Sequence, residues 1–291
     1  MKLVTFTQGG TTRIGVLDGD AIVDLAAAAP QLPREMCALL AAGAEALETA
    51  RQALGGASSR VAIKDVRLEA PILRPPKILA VGLNYKDHIA ETGNKTPEVP
   101  MIFNKQSTAI NSPTGDIYLP RVSEQLDYEG EFAVVIGRYC RHVPKNRARE
   151  VIAGYTIAND VSVRDWQRRV PTFTMGKSWD THCPLGPYIT TADEVGDPHT
   201  LDIKTWVNGE LRQSSNTSQL LFNCFDLVEH LTTAFTLEPG DIISTGTPGG
   251  VAAAMKPPKW LKPGDVVKIA IDKLGEIENR VIAEPEGTAR I

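Results

Sequence analysis

Two carboxylates, Glu129 and Glu131, stand two residues apart at the head of an apolar run, residues 129–136. On an extended strand, side chains two apart point to the same face. Carboxylates that close repel each other, and burying them uncompensated is costly. A divalent cation between them answers both problems. The plainer alternative is a solvated strand end with two ordinary glutamates. A third acid, Asp160, follows the apolar segment 155–158. Acids at strand ends serve ligands, and they also cap helices, so both readings stand. Three acids with no clustered His or Cys favour a hard cation, Mg²⁺ or Mn²⁺, over zinc.

His88 and Glu91 form a second pairing of types. Three apart on a helix, they share a face. A carboxylate beside an imidazole raises its basicity and orients it, which suits a general base acting on water. Most pairs at this spacing are surface pairs, and that reading is the alternative. Residues 93–97 read as a loop, so the helix could act as a lid. His142, His182, His199 and His230 lack such company and read as structural.

Lys105 follows an apolar strand and Lys177 follows a glycine. Either could reach an anionic substrate or sit at the surface. The run Thr245-Gly246-Thr247-Pro248-Gly249-Gly250 follows a strand and could cradle an oxyanion with its N–H groups. It lacks the Lys-Ser/Thr ending of a P-loop, which argues against nucleotide binding.

The elements that must position these groups divide the chain in two. Residues 1–70 read as a small unit, with strands at 3–7, 13–17 and 21–25 around glycine turns, and a helix at 34–54. A proline-marked linker at 71–76 leads to the larger unit, 71–291. Its strands are expected at 77–82, 101–104, 129–136, 154–158, 201–207, 241–245 and 266–271, and its helices at 85–92 and 218–235. Asn208-Gly209 predicts a hairpin between 201–207 and 210–215. Strands outnumber helices without alternating with them, which predicts an α+β fold with a curled mixed sheet rather than a doubly wound one.

Composition narrows the classes. The chain has 291 residues, 42% of them hydrophobic and 23% charged, with a net charge of -4. That excludes a disordered or collagen-like chain and gives no basic excess for nucleic acid. No apolar run approaches the ~20 residues that span a bilayer, and residues 1–6 carry no signal-peptide pattern. Cys37, Cys140, Cys183 and Cys224 are too scattered for a zinc knuckle or redox pair, and read as packed thiols in a reducing, cytoplasmic setting. The sequons at Asn94 and Asn216 read as chance matches.

In order along the chain, these segments resemble the fumarylacetoacetate hydrolase family over residues 70–285. The carriers are Gly-Leu-Asn-Tyr-Lys-Asp-His at 82–88, Asp-Tyr-Glu-Gly-Glu at 127–131, and Asn-Asp-Val-Ser at 159–162 with Arg164, Asp165 and Gln167. Gly-Lys at 176–177, Cys-Pro-Leu-Gly-Pro at 183–187 and Ser-Thr-Gly-Thr-Pro-Gly-Gly-Val at 244–251 complete the set. The resemblance implies a mixed β-sandwich roll with a small N-terminal α/β domain, and usually a homodimer. It implies that Glu129, Glu131 and Asp160 are metal ligands for Mg²⁺ or Mn²⁺, and that His88, Glu91 and Lys177 are catalytic. Gln167 matches a substrate contact. Lys105, Arg164 and Thr247 match the site's supporting shell and count with it as substrate-binding.

The implied reaction is hydrolytic C–C cleavage of an acylpyruvate or 2,4-diketo acid. His88 activates water and a pyruvate-type enolate leaves, stabilised by the metal as Lewis acid. The same electron sink serves an oxaloacetate decarboxylase, a keto–enol or 2-hydroxyhepta-2,4-diene-1,7-dioate isomerase, or a ureidoglycolate lyase. A non-catalytic keto-acid-binding protein is the alternative outside enzymes. Residues 167–174 are expected to line the pocket, where Arg168 and Arg169 would favour a second anionic group or else stay solvated.

Overall fold

The computed structural model describes residues 1–56 and 59–288. Its centre is a mixed 12-stranded sheet. The sheet runs from the N-terminal meander (Lys2–Gln8, Thr11–Asp18, Ala21–Asp24) through Cys183–Thr191, Ile152–Asn159, Gly130–Ile136, Ile242–Ser244 and Ile78–Gly82 to Met101–Lys105. A five-stranded sheet packs across it, built from Glu210–Asn216, Asp202–Val207, Val266–Ile271, Gly275–Ala283 and Ile117–Leu119. This is the α+β fold with a mixed sheet that the strand-rich pattern predicts, packed in the sandwich that the resemblance implies.

The strand Gly130–Ile136 explains why the site sits where it does. It is buried on both faces. Phe132, Val134 and Ile136 join the core shared with the five-stranded sheet, through Ile203, Ile269 and Ile277. Ala133 and Val135 face the other core, which contains Leu3, Val16, Leu39 and Leu40 of the N-terminal unit. Such a strand reads as a continuous apolar run rather than an alternating one. Its register with Ile152–Asn159 pairs Glu131 with Ala158 and Gly130 with Asn159. The Asp160 N–H then donates to the Glu129 carbonyl at 2.9 Å. Pairing of two neighbouring strands thus brings all three acids together.

Several expected boundaries move. The helix expected at 34–54 is two, Met36–Ala41 and Gly43–Gly56, parted where Gly43 takes a φ of +80°. The helix expected from 218 starts at Cys224, because Asn223 closes a capping box with Asp226. The strand expected from 129 starts at Gly130. The proline stretch is packed down: Pro71 and Ile72 are buried, and the Thr5 hydroxyl donates to the Pro71 carbonyl at 2.7 Å.

Cys183–Thr191 was not expected as a strand, since prolines at 184 and 187 argue against a central one. The ladder to Ile152–Asn159 shifts register between Tyr155 and Ile157, opposite this segment, and an irregular ladder tolerates a missing donor. Gly275–Ala283 was also missed, because a buried Asn279 interrupts its apolar alternation between Ile277 and Val281.

Candidate functional site

Glu129, Glu131 and Asp160 each offer an oxygen within 4.8 Å of the others, and all three are buried, at 5%, 2% and 1% exposure. The solvated strand end is therefore not what forms. Nor does Asp160 cap a helix: the next helix, Arg164–Gln167, begins at Val163 with no side-chain cap. Its carboxylate instead meets the ammonium groups of Lys105 and Lys177, each at 2.7 Å.

The cations are buried too. Lys177 also reaches Glu129. Arg164 donates from Nε to Asp127 at 2.8 Å, from Nη2 to Glu129, and from Nη1 to the Gln167 side-chain oxygen at 2.9 Å. Lys105 completes its shell with the carbonyls of Val161 and Lys177. That ammonium is spent behind Asp160, and Lys105 is absent from the cavity wall, so it holds a carboxylate in place rather than meeting substrate.

Charge accounting supports a cation. Four buried carboxylates (Asp127, Glu129, Glu131, Asp160) face three buried cations (Lys105, Arg164, Lys177), leaving one net negative charge. The uncompensated one is Glu131, which has only the Ser244 hydroxyl and, at 2.9 Å, the Gly246 N–H. Burial, with Asp160 and Glu129 nearby, pushes its carboxyl up to about 8. Burial pushes Glu129 the same way, but Arg164 and Lys177 outweigh it and hold that carboxyl well below the usual range. One carboxylate short of positive partners among three hard oxygen donors is what a Mg²⁺- or Mn²⁺-type ion fits.

The Gly246 N–H reaches Glu131 because Gly246 has a φ of +99°, and a Cβ there would lie 2.9 Å from the Val81 carbonyl oxygen and from Asn84 Cβ. The glycine loop is therefore no oxyanion cradle: Gly249 N–H donates to Asp87 at 3.3 Å and Gly250 N–H to Glu91 at 3.0 Å. The protein's own carboxylates have taken those donors. Thr247 is likewise occupied, donating to the Gly130 carbonyl at 2.9 Å and accepting from Gln213 at 2.8 Å.

His88 and Glu91 lie on the helix Lys86–Thr92. His88 is buried and Glu91 exposed, with Nδ1 3.5 Å from Glu91 Oε2, so the pair runs from the cavity interior to its rim rather than lying wholly at the surface. Both line one cavity of about 740 Å³ with the three acids, Lys177, Arg164, Gln167 and Thr247. That volume suits a small-molecule site, where roughly 300–1,000 Å³ is usual. Gln167 and Lys177 approach because residue 176 is glycine: a Cβ there would fall 2.4 Å from the Gln167 backbone.

Sequence reasoning gave no role to Asp127, Asn84 or Asp87. Asp127 anchors Arg164 and accepts the N–H groups of Ala252 and Ala253. Asn84 ties the root of the His88 helix to the carbonyls of Thr245 and Phe222. All three sit inside the motifs quoted above, but apart from Arg164 these partners are remote in sequence, 125 residues away for Ala252, 161 for Thr245 and 162 for Gly249.

The chain belongs to the fumarylacetoacetate hydrolase family: the fumarylacetoacetate (FAA) hydrolase C-terminal family matches residues 77–282. It is 42% identical to the mitochondrial oxaloacetate tautomerase fahd2 of Xenopus laevis, over 97% of this chain and 90% of that protein. It is 40% identical to the oxaloacetate tautomerase YisK of Bacillus subtilis, over 91% and 94%. The crystal structure of maleylpyruvate hydrolase from Sphingobium, in complex with manganese(II) and pyruvate, superposes with a TM-score of 0.82 at 35% identity, over 98% of this chain and 100% of that one. The fold is that of this family, and its relatives are enzymes. Among the described residues no helix is long and apolar enough to cross a membrane.

Proposed function

We propose that this protein is a divalent-metal-dependent tautomerase that interconverts the keto and enol forms of an oxaloacetate-type 2-oxo acid. The observation that carries the reading is the shared cavity: a buried acid triad with Lys177 against it, and the His88–Glu91 pair on the same wall. Two oxaloacetate tautomerases aligned over nearly the whole chain support this isomerase chemistry ahead of the C–C hydrolase that the resemblance put first.

Glu129, Glu131 and Asp160 would hold Mg²⁺ or Mn²⁺. When bound, that ion supplies Lewis-acid stabilisation of negative charge developing on the 2-oxo oxygen. The substrate's carboxylate and 2-oxo group lie on the buried floor beside Lys177. His88 takes the proton from C3, the C–H electron pair becomes the C2–C3 double bond, and the 2-oxo oxygen carries the charge until the His88 imidazolium returns the proton to it and is neutral again. Glu91 lies 3.5 Å from Nδ1, which has no hydrogen-bond partner among the described residues, and would orient the imidazole by closing to hydrogen-bond distance there, leaving Nε2 for the substrate. Lys177 adds fixed positive charge where the enolate forms, with no reorganisation needed at the moment of reaction. The reading keeps the homodimer that the family implies and the reducing cytoplasm that four free cysteines suit.

A second reading, hydrolysis of acylpyruvates, is favoured by the manganese and pyruvate held by the maleylpyruvate hydrolase relative. One assay separates them. Enol-oxaloacetate decay is followed by ultraviolet absorbance with Mg²⁺ or Mn²⁺, before and after EDTA, beside pyruvate release from acetylpyruvate and maleylpyruvate. Metal-dependent acceleration of the first supports the tautomerase. Pyruvate release without that acceleration transfers the site to the hydrolase.

A further inference from the structure

We infer that Arg168, assisted by Lys256, selects 2-oxo dicarboxylates by receiving the second carboxylate at the mouth of the cavity. This rests on the keto-acid reading above and adds the residue that selects the second carboxylate.

The cations along the cavity wall are of two kinds. Four cationic side chains line it: Arg164, Lys177, Arg168 and Lys256. The first two are buried, and their nitrogens are committed to Asp127, Glu129, Asp160 and Gln167. Arg168 and Lys256 are exposed, and among the described residues neither forms an ion pair. Among the described residues the one side-chain hydrogen bond of Arg168 runs to Gln125 Oε1 at 3.4 Å, the limit of such a bond. All four acids on the wall (Glu91, Glu129, Glu131, Asp160) already have protein partners. A ligand entering past the rim thus meets two free positive charges before it reaches a floor built for a carboxylate and an oxo group.

The position of Arg168 is fixed by the same turn that builds the floor. It is the C-cap of the helix Arg164–Gln167, its N–H bonded to the Arg164 carbonyl at 3.1 Å. Its neighbour Arg169 goes elsewhere, 3.8 Å from the Trp166 ring centroid. One arginine of the pair is stacked and the other lines the cavity, held elsewhere only by the long bond to Gln125. A guanidinium offers a planar fork that matches a carboxylate bidentately, which a lysine cannot reproduce.

The test is calorimetric binding to the Mg²⁺-loaded protein. Acids are compared in pairs of equal carbon number: oxaloacetate with 2-oxobutyrate, 2-oxoglutarate with 2-oxopentanoate, and 2-oxoadipate with 2-oxohexanoate. Wild type is expected to bind at least one diacid about tenfold more tightly than its partner, less so at high salt because the rim is exposed. R168Q should bring that ratio to about one while leaving monoacid affinity unchanged, R168K should keep part of it, and K256Q should lower it about two- to threefold. A ratio unchanged in R168Q, equal weakening of both acids, or no diacid preference in wild type overturns the inference. Thermal melts check that each variant folds. If wild type shows the Arg168-dependent preference but does not tautomerise oxaloacetate, the selectivity stands and the proposed reaction falls. If it tautomerises oxaloacetate and R168Q keeps the ratio, the reverse holds.

Discussion

The floor of the cavity and its mouth are built on opposite principles. The floor hangs on adjacent strands of the central sheet, is buried, and is locked by ion pairs at 2.7 and 2.8 Å. The mouth is a seven-residue helix, Lys86–Thr92, clipped to a glycine loop by Asp87 and Glu91, with exposed Arg168 and Lys256 beside it. Charges must be preorganised where electrons move, which demands rigidity. Admission and selection need a part that opens, which demands few and replaceable contacts.

The contrast breaks most sharply at Glu131 and His88. Glu131→Gln should lower metal affinity by more than the roughly 10–100-fold that loss of an outer-shell partner costs, and abolish turnover. Because Glu131 is the carboxylate without a cation, its removal should leave the thermal stability of the metal-free protein unchanged or raised. A clear fall in melting temperature would contradict the charge accounting. His88→Ala should cut turnover about 10²–10⁴-fold with metal binding retained, as isothermal titration with Mn²⁺ would show. Unchanged turnover removes His88 from the reaction.

Lys105→Met should act through stability. It takes one of the two cations from Asp160, leaving Lys177, and unpairs the Val161 and Lys177 carbonyls. Breaking a buried pair outright costs roughly 3–5 kcal/mol, so a smaller loss is expected, measurable as a lower urea midpoint. His182 tests the back of the floor, where its Nε2 pairs with the Tyr118 carbonyl at 2.7 Å. Burial lowers this imidazole to about 3. The folded state then stays neutral while the unfolded state takes a proton below its ordinary value near 6.5, so this contribution is present above that pH and is lost as pH falls toward 3. His182→Gln keeps a donor for Tyr118 and should remove up to about 1.4 kcal/mol per pH unit from the acid slope of stability. An unaltered slope would mean that other groups set it.

The smallest effect belongs to the mouth. Asp87 accepts the His88 N–H at 2.7 Å, the Gly249 N–H at 3.3 Å and the Ser215 hydroxyl. Asp87→Asn weakens that clip by about 1 kcal/mol and should raise proteolytic nicking of residues 86–99 while leaving metal affinity untouched. A loss of metal affinity instead would tie mouth to floor more closely than the contacts do.

Much of this site was legible before any fold was known. Types and spacing raised Glu129 with Glu131 and His88 with Glu91 as candidates beside plainer readings, context raised Asp160 and Lys177, and the ordered motifs of the resemblance gave all six their expected roles. The continuous apolar run after Glu131 marked a strand buried on both faces, and the structure has one at Gly130–Ile136. The interrupted strand Cys183–Thr191 was hidden, because proline and glycine mask a segment whose burial alone makes it a strand.

What only the tertiary structure decided is partnership. Sequence types offered Lys105 to the substrate and the glycine loop to an oxyanion. Folding gave Lys105 to Asp160, 55 residues away, and the loop's N–H groups to Glu131, Asp87 and Glu91, 115 to 162 residues away. The sequence by itself determined which chemistry these side chains can do, since that is a property of each group and its near neighbours. Which charge faces which, and therefore which cations remain free for a ligand, depends on contacts that close only when distant strands pair.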